Sequence, residues 1–389
     1  MAAKQPTRRP RTLRQWLMLS ALSTVLALAL AELATRVLTS PLANGMSRVG
    51  PIVLLPLQLP PSDSKPPSAA TEKPYIVPDA ELGWCTGPDA KADGCSTNVQ
   101  AARGGPAGGY TKAVPAGKVR VVTFGDSFTH CDEVVDADTW QAQLVGLRPD
   151  IEAANFGVPG YGTDQAFLRW RRESRALDAT VSILCIWPEN ICRNLNLDRF
   201  FLVPSGPSSR KPRFVLRDGR LESRGQPCVP TQGLAASPFI AADDVWCDAG
   251  ETEWHAYYHV RLLRLAASSF SVLRRRSMRA AMYSDADPRA NEITLAICRQ
   301  FAAEARDRGT RPVVLLIPMR DLLAEYPGGE RALPLVRMLL ASGIETWDLS
   351  PAFAGATNLD ALNPPHRHMT PQGNRVIAET LAARLPKAL

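Results

Sequence analysis

From residue 118 onward, apolar and polar positions follow the pattern of strands and helices that alternate along the chain. Short apolar runs rich in β-branched residues predict buried strands, at residues 119–124, 151–156, 180–187, 312–318 and 344–348. Amphipathic stretches predict helices at residues 139–147, 162–174, 293–308, 333–342 and 371–385. Such alternation predicts a five-stranded parallel sheet between two helical layers, a three-layer α/β/α sandwich.

Residues 196–290 interrupt this alternation and are interpreted as an insertion. Asp218-Gly219, flanked by apolar residues, predicts a β-hairpin over residues 214–221. Residues 251–283 are helical in pattern and rich in arginine, which indicates a basic surface. His255 and His259 are four residues apart, but Ala256 replaces the glutamate of a His-Glu-x-x-His zinc motif. We therefore expect no metal here.

The N-terminal 40 residues have the pattern of a membrane anchor. Residues 16–31 carry no charge, Glu32 interrupts the apolar run, and Arg14 and Arg36 flank it. The run is slightly shorter than the about 20 residues of a spanning helix. The basic residues before it predict a cytoplasmic N-terminus and an exported remainder. A cleavable signal peptide is the alternative, because residues 29–31 (Ala-Leu-Ala) fit a cleavage site.

A proline-rich stretch separates this anchor from the rest of the chain. Residues 41–75 contain eight prolines and predict an extended tether. The alternative for the apolar residues 52–59 is that they pack against the main domain. Residues 76–389 then form the main domain, with the insertion at about 196–290.

Charge and cysteine content support export and argue against a nucleic-acid partner. The net charge is +7, but residues 1–40 hold six basic residues and one acidic residue, so the remainder is nearly neutral. The 45% of apolar residues suffice for a large core. Eight cysteines suit an oxidising compartment. Cys85 with Cys95 and Cys228 with Cys247 are candidate disulfides, and Cys185 lies in an apolar run as a buried thiol.

Four separate segments carry residues with catalytic potential, each after a predicted strand or before the last helix. They are Gly125-Asp126-Ser127, the stretch from Asn155 to Gln165 with Gly157, Gly160 and Gly162, Trp187-Pro188-Glu189-Asn190, and the stretch from Pro365 to Asn374 with His368. Ligands of open α/β sheets bind outside the carboxyl ends of the strands, where these segments would meet. Each segment alone fits an ordinary turn or cap, but their joint order favours serine hydrolase chemistry.

These segments resemble the four conserved blocks of SGNH/GDSL-type hydrolases, over roughly residues 118–385. The resemblance implies a flavodoxin-like sheet, Ser127 as nucleophile and His368 as general base. It also implies an oxyanion hole built from the backbone N–H groups of Ser127 and Gly160 and the Asn190 amide. The N-terminal anchor and proline-rich tether resemble those of a membrane-anchored, exported bacterial branch of the family.

The histidine block departs from the family pattern. The family places an aspartate two or three residues before the base, where it fixes the tautomer of the imidazole, whereas this chain has Pro365 and His366 there. Four interpretations stay open. The first is a Ser127–His368 dyad in which a backbone carbonyl orients the histidine. The second is that Asp360 reaches back to orient His368. The third is that His366 is the base, and the fourth is that the protein is only weakly active.

The sequence thus predicts a membrane-tethered serine esterase that removes an O-acyl group from a small molecule or an envelope glycan. Its main domain would lie in the periplasm or outside the cell, anchored in the inner membrane by one helix or secreted after signal cleavage. The alternatives are an O-acyltransferase with the same site and an inactive glycan-binding or assembly protein. We expect no cofactor, metal or nucleic acid. Substrate, acyl chain and oligomeric state are left open.

Overall fold

The structure is a computed structural model that describes residues 12–42, 46–55, 73–199, 202, 210–228, 245–246, 259–325, 333–354 and 356–388. In these ranges the helices are α1 (Leu13–Leu38), α2 (Ser127–His130), α3 (Trp140–Leu147), α4 (Thr163–Glu173), α5 (Glu189–Arg193), α6 (Arg261–Met282), α7 (Arg289–Asp307), α8 (Arg320–Glu325), α9 (Pro334–Ala341), α10 (Ser350–Ala354), α11 (Leu359–Leu362) and α12 (Pro371–Arg384). The strands are β1 (Thr39–Pro41), β2 (Ser47–Val49), β3 (Ile52–Val53), β4 (Ile76–Asp79), β5 (Gly83–Thr86), β6 (Lys91–Ala92), β7 (Cys95–Ser96), β8 (Val119–Phe124), β9 (Ile151–Asn155), β10 (Val181–Ile186), β11 (Arg213–Arg217), β12 (Arg220–Arg224), β13 (Arg311–Leu316) and β14 (Thr346–Asp348).

A five-stranded parallel sheet forms the centre of the main domain, in the order β14-β13-β10-β8-β9. Numbered along the chain, this is the flavodoxin-like order 2-1-3-4-5. The five predicted strands are confirmed to within two residues at each end, and α7 begins four residues before its predicted start. Because β9 and β10 lie on opposite sides of β8, the strand order reverses there. A crevice therefore opens at the carboxyl ends of β8 and β10.

Successive residues of the central strands enter two different cores, one on each face of the sheet. Val121 of β8 packs in the core that contains Trp140 of α3 and Ile377 of α12. Its neighbour Val122 packs in the core that contains Trp170 of α4, together with side chains of α7 and α9. Both faces are covered by helices, which explains why β8 and β10 are buried at every position.

Helix α1 is long and apolar enough to cross a membrane, and its apolar window is not buried against the rest of the protein. Glu32, the charge that interrupts the apolar run, lies near its end. Its carboxylate accepts hydrogen bonds from the backbone N–H groups of Arg261 (3.0 Å) and Leu262 (2.7 Å). Glu32 thereby caps the start of α6, since the first N–H groups of a helix have no partner within the helix.

The prediction of an extended tether is wrong for the first part of the proline-rich stretch. Strands β1, β2 and β3 form a small antiparallel sheet. The next residues, Leu54 and Leu55, are buried. The backbone of Leu55 accepts a hydrogen bond from Arg264 and donates one of 2.8 Å to the Ser268 hydroxyl, both on α6. The alternative prediction, that the apolar segment packs against the domain, therefore holds for Leu54 and Leu55. Residues 56–72 lie outside the described residues.

The predicted pairing of Cys85 with Cys95 is also wrong, because both are free thiols. Cys247 lies outside the described residues, so its pairing with Cys228 stays a prediction. Cys185 is buried, as predicted, where desolvation raises the pKa of its thiol.

In the insertion, the predicted hairpin is confirmed as β11 and β12. The arginine-rich helix is present as α6. Of the two histidines considered as metal ligands, His255 lies outside the described residues.

Candidate active site

Ser127 is the first residue of the one-turn helix α2, immediately after the end of β8. Asp126 caps this helix, because its Oδ1 atom accepts a hydrogen bond of 2.9 Å from the Phe128 N–H. This contact braces the turn between β8 and α2. The cap holds Ser127 at the carboxyl edge of the sheet, with only 7% of its surface exposed.

His368 approaches Ser127 from the loop before α12. Its Nε2 atom lies 2.9 Å from the Ser127 Oγ atom. Thr370 caps α12 and so fixes the end of this loop. Below the imidazole, the Phe128 ring lies 4.9 Å from that of His368 and stacks on Trp187 at 4.6 Å. The structure therefore brings together two groups that are 241 positions apart in the chain.

Glu133 lies on the far side of the His368 ring from Ser127, at the position of the acidic residue of a Ser–His–acid triad. Its Oε1 atom lies 3.3 Å from His368 Nδ1, and its Oε2 atom accepts a hydrogen bond of 2.8 Å from Arg367. Burial raises the pKa of Glu133, but the hydrogen bonds from Arg367 and His368 outweigh it and hold the pKa below its ordinary value. An ionised carboxylate only accepts hydrogen bonds, so it favours the tautomer with a proton on Nδ1 and a free Nε2 facing Ser127.

The structure does not bring Asp360 to His368, so this predicted orienting contact is wrong. The Asp360 carboxylate instead accepts a hydrogen bond from Arg320, and its side chain is 62% exposed. His366 is exposed, and the histidine that reaches Ser127 is His368. Asp360 lies on α11, whereas His368 lies on the loop before α12, whose conformation brings its Nε2 atom to Ser127.

Sequence reasoning missed Glu133 because nothing local distinguishes it. It lies six residues after Ser127 and 235 positions from His368. The one available signal was the acidic pair Asp132-Glu133, which closely follows the nucleophile segment. The backbone of Glu133 adopts a left-handed conformation (φ 71°), which is uncommon for a residue with a side chain.

The glycine turn after β9 lies against α2. A Cβ atom at Gly157 would lie 2.2 Å from the His130 backbone nitrogen, so only glycine allows this approach. Gly160 adopts φ 83°, which glycine tolerates best. Among the described residues, none accepts a hydrogen bond from the backbone N–H of Ser127 or Gly160. These N–H groups are thus available to a ligand oxygen.

Asn190 links the serine turn to the glycine turn. Its Nδ2 atom donates hydrogen bonds to Asp126 Oδ2 (2.8 Å) and to the backbone oxygen of Tyr161 (3.2 Å). Its Oδ1 atom accepts one of 2.8 Å from the Trp187 N–H. Both amide hydrogens are therefore occupied, and Asn190 acts as a brace in this geometry. Donation to an oxyanion requires that one of these bonds be exchanged.

Ser127 and His368 open onto a cleft of about 1420 Å³. Residues from α5, α6, α8 and α9 line its other walls, and arginine is frequent among them. Arg193 and Arg199 belong to this lining, and neither was singled out from the sequence. The site therefore combines a Ser–His–Glu arrangement with a basic cleft.

No protein-family model and no curated protein matches the sequence. Among solved structures, a protein described as a G-D-S-L family lipolytic protein from Desulfitobacterium hafniense DCB-2 is 11% identical, with a TM-score of 0.35 over 69% of this chain and 100% of that chain. LAE5, an alpha/beta hydrolase enzyme from the metagenome of Lake Arreo, Spain, is 14% identical, with a TM-score of 0.38 over 69% and 95% of the two chains. A catalytic mutant of Axe2, an acetylxylan esterase from Geobacillus stearothermophilus, is 12% identical, with a TM-score of 0.37 over 69% and 94%.

Proposed function

We propose that the protein is a serine esterase of the SGNH/GDSL type. The observation that supports this most strongly is the continuous set of contacts from Glu133 through His368 to Ser127, with distances of 3.3 Å and 2.9 Å. A nucleophile, a base within hydrogen-bond reach and a group that orients the base are the parts that acyl transfer requires. The similar solved structures have low TM-scores, so the proposal depends on this geometry.

In the proposed reaction, Ser127 Oγ attacks the carbonyl carbon of an ester while His368 Nε2 accepts the hydroxyl proton. His368 then donates this proton to the leaving alcohol, and an acyl group stays on Ser127. A water molecule, deprotonated by the same histidine, releases the carboxylic acid and restores the serine. Glu133 keeps its negative charge throughout and stabilises the imidazolium that forms in each step.

The tetrahedral intermediate carries a negative oxygen, which the backbone N–H groups of Ser127 and Gly160 would bind. Their lack of another acceptor supports this role. Asn190 would contribute mainly by holding the two turns at a fixed separation, and its amide becomes a third donor only if it releases the Tyr161 carbonyl. The Gly157 contact with α2 keeps the same separation short.

We further propose that α1 anchors the protein in a membrane and that the main domain is exported. The large apolar side chains of α1 are exposed on several faces, for example Trp16, Leu17, Val25 and Leu26. Water contact of so much apolar surface is unfavourable, and a lipid environment removes it. The intact mass of the protein isolated from membranes tests the anchor. The mass of a chain that starts at Glu32 would indicate a cleaved signal peptide instead.

The experiment that tests the esterase proposal uses the full chain in detergent and 4-nitrophenyl acetate. We expect Ser127→Ala and His368→Ala to reduce hydrolysis at least about 1000-fold, as removal of a member of a catalytic triad does. Ser223→Ala is the matched control, because Ser223 is exposed on β12 and its hydroxyl bonds Gln226. His366→Ala tests the other histidine of the loop, and we expect it to retain activity. An organophosphonate should label wild type and not Ser127→Ala.

The outcomes separate the proposal from its alternatives. Hydrolysis that persists in both site variants would refute the assignment of Ser127 and His368. An acyl group that moves to an added glycan in preference to water would identify an O-acyltransferase with the same residues. Glycan binding that is unchanged in Ser127→Ala, without any ester cleavage, would identify a binding or assembly protein.

A further inference from the structure

One wall of the cleft is formed by guanidinium groups, which we call the arginine wall: Arg193 on α5, Arg199 just after it, and Arg279 on α6. All three line the same cleft as Ser127. The Glu189 carboxylate lies between them, 3.2 Å from Arg193 Nε and 3.8 Å from Arg199 Nη1. Three cations therefore surround one carboxylate of the lining.

Arg193 makes three hydrogen bonds within the protein. Its Nη1 atom donates to Asp126 Oδ2 (3.1 Å) and to the Tyr161 carbonyl oxygen (2.9 Å), and its Nε atom donates to Glu189. Arg193 therefore braces the serine turn, as Asn190 does. Its charge contributes to the wall, but its Nε and Nη1 groups are already used.

Arg199 and Arg279 differ from Arg193 in this respect. Within the described part of the chain, Arg199 Nη1 and Arg279 Nε are buried atoms without a hydrogen-bond partner. Glu189 is too distant from Arg199 for a hydrogen bond, at 3.8 Å. Buried donors without an acceptor are costly. Other buried nitrogens of the described residues share this state, but Arg199 and Arg279 lie together at Glu189 on the wall of the cleft that holds Ser127, where a ligand can supply the acceptor.

The charge balance points to an anion. Burial, together with the positive charge of Arg193, lowers the pKa of Arg199 to about 9. Burial raises the pKa of Glu189, but Arg193, Arg199 and Arg279 outweigh it and hold the pKa below its ordinary value. Glu189 is therefore ionised. Glu189 and Asp126, which pairs with Arg193, place two carboxylates against the three guanidinium groups, so the wall keeps a net positive charge that an anion would stabilise.

The wall lies next to the proposed reaction centre. A Cβ atom at Gly160 would lie 3.6 Å from Arg199 Nε, so the guanidinium group adjoins the turn that would bind the oxyanion. The neighbouring Tyr283 hydroxyl also lines the cleft, and burial raises its pKa, so that it stays a neutral donor. One substrate molecule can therefore place an ester group at Ser127 and an anionic group at the arginine wall.

We propose that Arg199 and Arg279 form an anion subsite, and that the substrate is an O-acyl ester that also carries a carboxylate or a phosphate. This inference rests on the proposed esterase function and names its substrate class. It predicts that the enzyme distinguishes an acidic acylated sugar from the neutral sugar of the same shape. The acyl-transfer step itself is unchanged, because the anion binds beside the reacting carbonyl and takes no part in bond formation.

The test compares O-acetylated methyl glycosides that differ only at carbon 6, with a hydroxymethyl group, a carboxylate or a phosphate. We expect kcat/KM for acetate release by the full-length protein to be at least about tenfold higher for one of the acidic sugars, because hydrogen bonds to charged groups are the strong ones. Arg199→Gln and Arg279→Gln should each remove most of this ratio. Arg217→Gln, an exposed arginine on β11, should retain it. The preferred acidic sugar decides between carboxylate and phosphate.

A second measurement does not depend on catalysis. Inorganic phosphate should raise the melting temperature of full-length Ser127→Ala at constant ionic strength, and it should do so less in the same protein with Arg199→Gln. Equal kcat/KM values for neutral and acidic sugars, together with no effect of phosphate, would overturn the anion subsite and leave the esterase proposal intact. Phosphate binding that requires Arg199, without hydrolysis of any of these sugars or of 4-nitrophenyl acetate, would support the subsite and overturn the esterase.

Discussion

Replacement of Glu133 by glutamine tests which acidic residue orients His368. The Glu133 carboxylate lies 3.3 Å from His368 Nδ1, a long hydrogen bond, and its side chain is 37% exposed. Hydrogen bonds that involve a charged group contribute about 1.5–3 kcal/mol. Solvent screening at this exposure favours the lower half of that range. Since about 1.36 kcal/mol corresponds to a factor of ten, we expect kcat to fall about 10- to 50-fold.

The assay is the initial rate of 4-nitrophenyl acetate hydrolysis by the full-length protein, measured between pH 6 and pH 9. The pKa of Glu133 lies below its ordinary value, so the carboxylate is charged over this whole range. Because Glu133→Gln also removes a charge that stabilises the imidazolium, the two proteins should be compared at the plateau of each pH profile. Melting curves of both proteins establish that the loss is not one of folding.

Asp360→Asn is the matched control, because it removes the other acidic residue considered for this role. Asp360 pairs with Arg320 at an exposed position, so we expect its replacement to change kcat less than about twofold. The reasoning would be refuted by a larger loss in Asp360→Asn than in Glu133→Gln, or by wild-type activity in Glu133→Gln.

Three further predictions concern stability, measured by circular dichroism on the full-length protein. Gly157→Ala should lower the free energy of unfolding by about 1–3 kcal/mol or more and also lower activity, because the new Cβ atom would lie 2.2 Å from the backbone of α2. An unchanged melting temperature would contradict this contact. Lys211→Met should lower the free energy of unfolding in urea by about 3–5 kcal/mol, because it removes the ammonium partner of the buried Asp164 carboxyl group; an unchanged free energy of unfolding would contradict the ion pair. Burial raises the pKa of Asp79, but hydrogen bonds, chiefly from Arg172, hold it below its usual value. This contribution is present above about pH 4 and is lost as pH falls further, so Asp79→Asn should melt with a shallower acid dependence than wild type.

The secondary structure and the order of the layers could be predicted from the sequence because their signals are local. A run such as residues 119–124 is apolar throughout, since helices cover both faces of the sheet, and this shows in six consecutive residues. Ser127 and His368 could be selected because each lies in a short segment with a recognisable pattern. Glu32 was visible as an interruption of an apolar run, but its role as a cap of α6 was not.

Only the tertiary structure decided which side chains meet. The choice of Glu133 over Asp360 depends on how two loops pack, and the residues in contact are 235 positions apart. The arginine wall combines α5 and α6, which approach each other only after the chain has folded. Periodicity and short motifs report what each residue prefers within a few positions, whereas the partner of a buried charge is set by packing between distant elements.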